Sequence, residues 1–164
     1  MASFIKRKNI FVIFCVLTIL WMAVIFSFSS ADAAQSSLVS ESITEKIVEL
    51  FNPGMRLIGS EQFQAFIDSV EAVVRKVAHG FNFAVLGALC YIATVNSEKI
   101  KQFQGAILSL VICCVYAVSD EIHQLFVPGR SGQVSDVIID TLGSVVGIAI
   151  VFFIYKILAK KQRQ

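Results

Sequence analysis

Residues 10–28 read IFVIFCVLTILWMAVIFSF, nineteen positions without a charged side chain. A helix needs about 20 mostly apolar residues to cross a hydrocarbon core roughly 30 Å thick. The stretch, taken as about residues 9–28, therefore reads as a membrane span. Three more segments meet the same test. One covers about 77–95 and carries His79 near its start; another, about 105–122, is apolar through Ala117 and then turns into Ser119-Asp120-Glu121-Ile122-His123. The last, about 137–158, holds Asp140 near its beginning. Composition agrees, since the 164 residues are 56% hydrophobic and only 16% charged. A soluble domain has about 45–50% apolar and roughly 25% charged residues. The apolar content excludes a disordered chain, and nine Gly and two Pro exclude collagen-like and other low-complexity classes; there is no internal repeat. The expected fold is an all-α membrane protein, a four-transmembrane-helix bundle in a single domain spanning residues 1–164.

Loops rich in Lys and Arg stay in the cytoplasm. Lys6, Arg7 and Lys8 precede the first span, Lys99 and Lys101 lie between the second and third, and Lys156, Lys160, Lys161 and Arg163 follow or end the fourth. These are nine of the fourteen basic residues, accompanied by one acid, Glu98. The remaining acids fall in or beside 29–76 and 119–140. Both termini are therefore expected in the cytoplasm. The start, MASFIKRK, the apolar stretch and Ala31-Asp32-Ala33 have the ingredients of a secretory signal. A run of about 20 residues is long for a signal core of about 7–15, so an uncleaved anchor is expected. Cys15, Cys90, Cys113 and Cys114 all lie within spans and lack zinc-site spacing, so they read as small apolar residues.

Residues 29–76 form the one long extramembrane piece, and the orientation makes it extracytoplasmic. Ile43, Ile47, Leu50 and Phe51 follow helical spacing before Asn52-Pro53-Gly54 interrupts them. Phe63, Phe66, Ile67, Val70, Val73, Val74 and Val77 make a second stripe that runs without a break into the second span. An interfacial helical segment is expected here, packed on the span ends.

Polar side chains inside apolar helices are costly and mark functional sites. Arg75, Lys76 and His79 share a side of the helix entering the second span. Leaving the third span, Asp120, His123 and Gln124 share a face while Glu121 is expected to point elsewhere. Arg130 stands near the tip of Phe126-Val127-Pro128-Gly129-Arg130-Ser131-Gly132. Asp136 and Asp140 lie one turn apart entering the fourth span, with Gly143 and Gly147 continuing that side. Gly143-x-x-x-Gly147 lets another backbone approach closely, and Gly80, Ala84 and Ala88 offer a matching groove on the second span. Their packing would bring His79, Asp120, His123, Asp136 and Asp140 to one depth.

Several readings of this constellation are open. The plainest is a salt-bridge network that holds the helix ends, with Arg75, Lys76 and Arg130 neutralising the acids. A metal site is another: Asp120-x-x-His123 has the carboxylate-x-x-His spacing seen in bundles, and His79 with Asp136 or Asp140 would complete the ligands. A third is acid–base chemistry on an envelope lipid, with a carboxylate-flanked imidazole as base and the three cations holding phosphate or pyrophosphate. A fourth is a non-catalytic scaffold or lipid-headgroup-binding protein using the same cleft. A transporter has little room for a gated path in four short spans. Asp120-Glu121-Ile122-His123 spells a helicase-type tetrad, but there is no Gly-rich phosphate loop and no basic-aromatic surface, so nucleic acid is not an expected partner.

Phe26-Ser27-Phe28-Ser29-Ser30, Arg75-Lys76-Val77-Ala78-His79, Ser119 to Gln124, Val127-Pro128-Gly129-Arg130 and the run from Asp136 to Gly143 together resemble the VanZ-like family, in its order and spacing over nearly the whole chain. The family's motif residues fall on Arg75, Lys76, His79, Asp120, Glu121, His123, Gln124, Arg130, Asp136 and Gly143. Phe83 stands where many members carry Tyr, and Asp140 where Asn is common. The resemblance implies an envelope role and, through the name-giving member, low-level resistance to teicoplanin-type glycopeptides; it names no cofactor or settled reaction. The expectation is an envelope protein that modifies or binds a lipid-linked or wall-surface component at its outer face. His79, Asp120, Glu121, His123 and Asp136 are its candidate catalytic residues. Arg75, Lys76, Gln124, Arg130 and Asp140 would bind the substrate. Membrane lipids and lipid-linked envelope precursors are the expected partners.

Overall fold

Away from water a chain must satisfy its backbone N–H and C=O groups internally, and a helix does this within one segment. The computed structural model is accordingly helical; it describes residues 2–30 and 60–161, together with positions 44, 46, 48 and 50. Four helices are long and apolar enough to cross a membrane. They are α1 (Ala2–Ser29), α2 (Ser60–Asn96), α3 (Gln102–Gln124) and α4 (Val134–Lys161). No strand occurs among the described residues.

Each expected span lies inside one of these helices, and α2 extends much further. Its 37 residues make a rod of about 55 Å, well beyond a hydrocarbon core of roughly 30 Å. The second apolar stripe thus continues into the span as one helix, as its unbroken spacing implied. Of the first stripe, Ile43, Ile47 and Phe51 lie outside the described residues, as does Asn52-Pro53-Gly54. Leu50 is described and is 76% exposed, whereas Thr44 and Val48, four apart, are buried. The packed side there is therefore set by positions 44 and 48, and Leu50 is not on it.

The short α2–α3 and α3–α4 connections make those neighbours antiparallel, so α2 and α4 run parallel; α1 runs parallel to α3, with Met22 beside Tyr116 and Phe26 beside His123. The α2–α4 contact is the most extensive in the bundle. A Cβ added to Gly143 would strike the Gly80 backbone, one on Gly147 would strike the Ala84 backbone, and one on Gly87 would strike Ser144. Only backbones in contact leave so little space, which is how small-residue faces join helices in lipid. Ser144 Oγ, fully buried, donates to the carbonyls of Asp140 (2.9 Å) and Phe83 (3.3 Å) and adds a polar stitch to the same seam.

The core has two layers. Ile25, Phe83, Leu86, Cys90, Cys113 and Ala117 fill the one nearer the α3–α4 turn. Tyr91, Val95, Ile148 and Val151 fill the other. α1 is the most exposed helix; among its ties to the bundle, Trp21 Nε1 donates to Asn82 O (2.9 Å) and Tyr116 Oη to Met22 O (2.6 Å). All four cysteines are unpaired thiols, with Cys90 and Cys113 buried in the core.

Candidate functional site

The polar residues gather at the end of the bundle closed by the α3–α4 turn. Pro128-Gly129 makes that turn, and Gly129 takes φ 75°, a left-handed conformation that other residues adopt at a cost. Residues after it fold back over α3: a Cβ on Gly132 would lie 2.7 Å from Glu121 O. This close approach lets the Gln133 backbone N–H donate to Glu121 Oε2 at 2.8 Å.

Below the turn, His79 from α2, Asp120 and Glu121 from α3, and Asp140 from α4 converge. Each can offer one nitrogen or oxygen, and these atoms all lie within 4.8 Å of one another. Asp120 is 3% exposed, Glu121 6% and Asp140 0%. The His79 side chain, 21% exposed, is the most accessible member, with Nδ1 3.7 Å from Asp140 Oδ1. That separation is too long for a direct hydrogen bond.

The carboxylates are only partly satisfied. Gln124 Nε2 donates to Asp120 Oδ2 at 3.2 Å, and Gln133 N–H engages Glu121 Oε2, but Asp120 Oδ1 and Glu121 Oε1 are buried without a hydrogen-bond partner. Neither oxygen of Asp140 has one. Buried polar atoms are nearly always partnered, and an unpartnered one costs about 1–3 kcal/mol, more when charged. Four such oxygens lie in this one group.

Two expectations about faces change. Glu121 does not point elsewhere; it joins the cluster, and His123 leaves it. Successive helical residues turn by about 100°, so positions 121 and 123 flank the 120/124 stripe on opposite sides. α2 and α4 lie on the 121 side. His123 instead faces α1, where its ring lies 4.4 Å from that of Phe26 and its Nε2 is 3.0 Å from Ser30 Oγ. This contact gives the Phe26–Ser30 run a structural purpose, and Ser30 is a neighbour that the spacing within α3 did not reveal. The metal reading that used Asp120-x-x-His123 fails for the same reason.

The remaining candidates stand around the cluster. Asp136, half-buried in the first turn of α4, accepts from Ser135 Oγ at 3.1 Å and contributes no atom to the group of four. Arg75 is held by Glu71 one turn back on α2, at 2.7 Å, and Lys76 is exposed. Arg130 is half-buried and donates from Nη2 to Phe28 O at 3.3 Å. Burial, and then the Arg75 guanidinium, lower its pKa, while Asp120 and Glu121 oppose them. Arg130 thus sits in the field of both the cluster and Arg75, whereas the three-cation grip on an anion is not preassembled.

The contribution of Gln133 escaped sequence reading because it is a backbone group. Gly132 beside it was the available signal. The VanZ/LLP1 family model matches residues 14–156 of the chain. No curated protein and no solved structure matches it.

Proposed function

The chain belongs to the VanZ/LLP1 family, which is associated with teicoplanin resistance, and from that premise we propose that it modifies or binds a lipid-linked or wall-surface component of the cell envelope. The supporting observation is the buried group of His79, Asp120, Glu121 and Asp140 with its four unpartnered oxygens. Three carboxylates inside a lipid-embedded bundle oppose its stability, and a structural staple needs far fewer. The charge bias of the loops supports cytoplasmic termini and a site at the extracytoplasmic face, within reach of envelope lipids. Arg130 and Arg75 supply positive charge beside it for an anionic headgroup.

One observation favours a second reading, a non-enzymatic scaffold or headgroup-binding protein. Among the four clustered residues only His79 has appreciable exposure, so a reacting substrate has narrow access to the carboxylates.

Teicoplanin susceptibility of a host expressing wild type, Asp120→Ala or His123→Ala, at matched membrane abundance, tests the proposal. Wild type is expected to protect, Asp120→Ala to fail, and His123→Ala to retain most of the protection because its ring packs on α1. Protection by Asp120→Ala equal to wild type would remove the cluster from the function. Turnover of a labelled lipid-linked precursor separates modification from binding.

A further inference from the structure

The cluster has the composition and geometry of a coordination sphere. We propose that His79, Asp120, Glu121 and Asp140 hold one divalent transition-metal ion.

The first argument is convergence. Zinc binds nitrogen and oxygen ligands at about 2.0–2.2 Å in a tetrahedron, so the donors around such an ion lie roughly 3.3–3.6 Å apart. The four donor atoms lie within 4.8 Å of one another, and rotation of the side chains by about 1 Å at the widest pair closes them on an ion.

The second argument is which atoms are taken. Asp120 gives Oδ2 to Gln124 and leaves Oδ1 without a partner; Glu121 gives Oε2 to the Gln133 N–H and leaves Oε1 without one. Ligating carboxylates show this division, with one oxygen oriented by the protein and the other on the metal. Asp140, fully buried, has two unpartnered oxygens and Nδ1 of His79 at 3.7 Å. Gln124 and Gln133 orient ligands without touching the ion.

Charge and donor type fix the class. Three carboxylates and a neutral imidazole carry −3; a divalent ion leaves −1, beside a cationic Arg130. Imidazole suits Zn²⁺ and Fe²⁺, and carboxylate suits Mn²⁺ as well, whereas Mg²⁺ keeps several waters. Three ligands that are 0–6% exposed leave little space for a hydrated ion. No donor is a thiolate, which sets the site apart from the sulfur-rich structural zinc centres. The functional consequence, that the ion attracts a phosphate oxygen of the bound headgroup, rests on the reading in the preceding subsection; the ion itself rests on geometry.

The test is the metal content of the full chain, purified in detergent without chelator and analysed by mass spectrometry. Wild type is expected to carry about one equivalent of Zn, Mn or Fe per chain. After stripping, it should rebind Zn²⁺ or Mn²⁺ with a rise in thermal unfolding temperature. Asp140→Asn and His79→Ala should lose the ion. Gln124→Ala, which keeps every ligand, should weaken binding by roughly 10–100-fold, the usual effect of removing an orienting partner. Wild type that is metal-free as purified and is not stabilised by added Zn²⁺ or Mn²⁺ overturns the site, as does an Asp140→Asn variant that binds as wild type does. The two readings separate cleanly. Metal-free wild type that still protects against teicoplanin overturns the ion alone. If wild type binds one ion and Asp140→Asn loses it without losing protection, the ion is supported and the cluster is removed from the envelope function.

Discussion

Asp140 concentrates the electrostatics of the molecule in one side chain. It is fully buried, both its oxygens lack hydrogen-bond partners, and two further carboxylates lie in the same group. At a separation of 4 Å, two unit charges repel by about 4 kcal/mol at an effective dielectric constant near 20. The sign of an Asp140→Asn substitution therefore depends on the ion. In chelator the amide removes a repelling charge and brings N–H donors to carboxylates that lack them, so the variant should unfold at a higher temperature than wild type. In Zn²⁺ the order should reverse, because wild type gains the binding energy that the variant forgoes. Thermal unfolding in detergent under both conditions is the check, and an identical shift in both would remove this account. The identities of His79, Asp120 and Asp140 as polar intruders were legible from hydropathy alone. The exchange of Glu121 for His123 was not, because both flank the same stripe and only the position of α1 decides which one faces inward.

At the scale of elements, the parallel contact of α2 and α4 positions the site, since His79 and Asp140 stand on its two sides. Glycines along it are not equivalent. A methyl group on Gly147 would strike the Ala84 backbone, which cannot move without separating the helices; one on Gly80 would meet Ile139 Cγ2 at 3.4 Å, an ordinary contact. In a helix interior Ala is otherwise favoured over Gly by about 1 kcal/mol. Gly80→Ala is therefore expected to be neutral or slightly stabilising. Gly147→Ala should cost about 1–3 kcal/mol or more, the penalty of overpacking. The Gly147→Ala variant should also lose the ion, because the α2 and α4 ligands separate together. Unfolding temperature and metal content of the two variants check the pair. The Gly-x-x-x-Gly spacing announced a close contact, and the small residues on the second span were legible as its partner. The different tolerance of Gly80 was not legible, because it depends on which rotamer Ile139 presents.

The whole molecule is an up-and-down bundle in which the α2–α3 connection and the α3–α4 turn lie at opposite ends. Lys99 and Lys101 belong to the first of these, and the cluster of His79, Asp120, Glu121 and Asp140 lies beneath the second. The basic bias of the loops predicts that the α2–α3 connection faces the cytoplasm. Alkaline phosphatase fused after residue 130 should therefore be active, and the same enzyme fused after residue 99 inactive. The reverse pattern would put the site in the cytoplasm and remove the extracytoplasmic substrate from consideration.

The sequence by itself determined that this is a four-span helical bundle, because bilayer thickness and the need to satisfy every backbone polar group leave an apolar run of about 20 residues no other structure. It also determined which end gathers the charged residues and which helix pair packs closely, since both are local properties of composition and spacing. Tertiary structure alone decided which of those residues meet. Glu121 turns inward while His123 is drawn onto Phe26 and Ser30, Arg75 pairs with Glu71, and the Gln133 backbone reaches Glu121 because Gly132 lets the loop fold back. Each outcome depends on how one helix or loop lies against another, and spacing along a single segment carries no record of that.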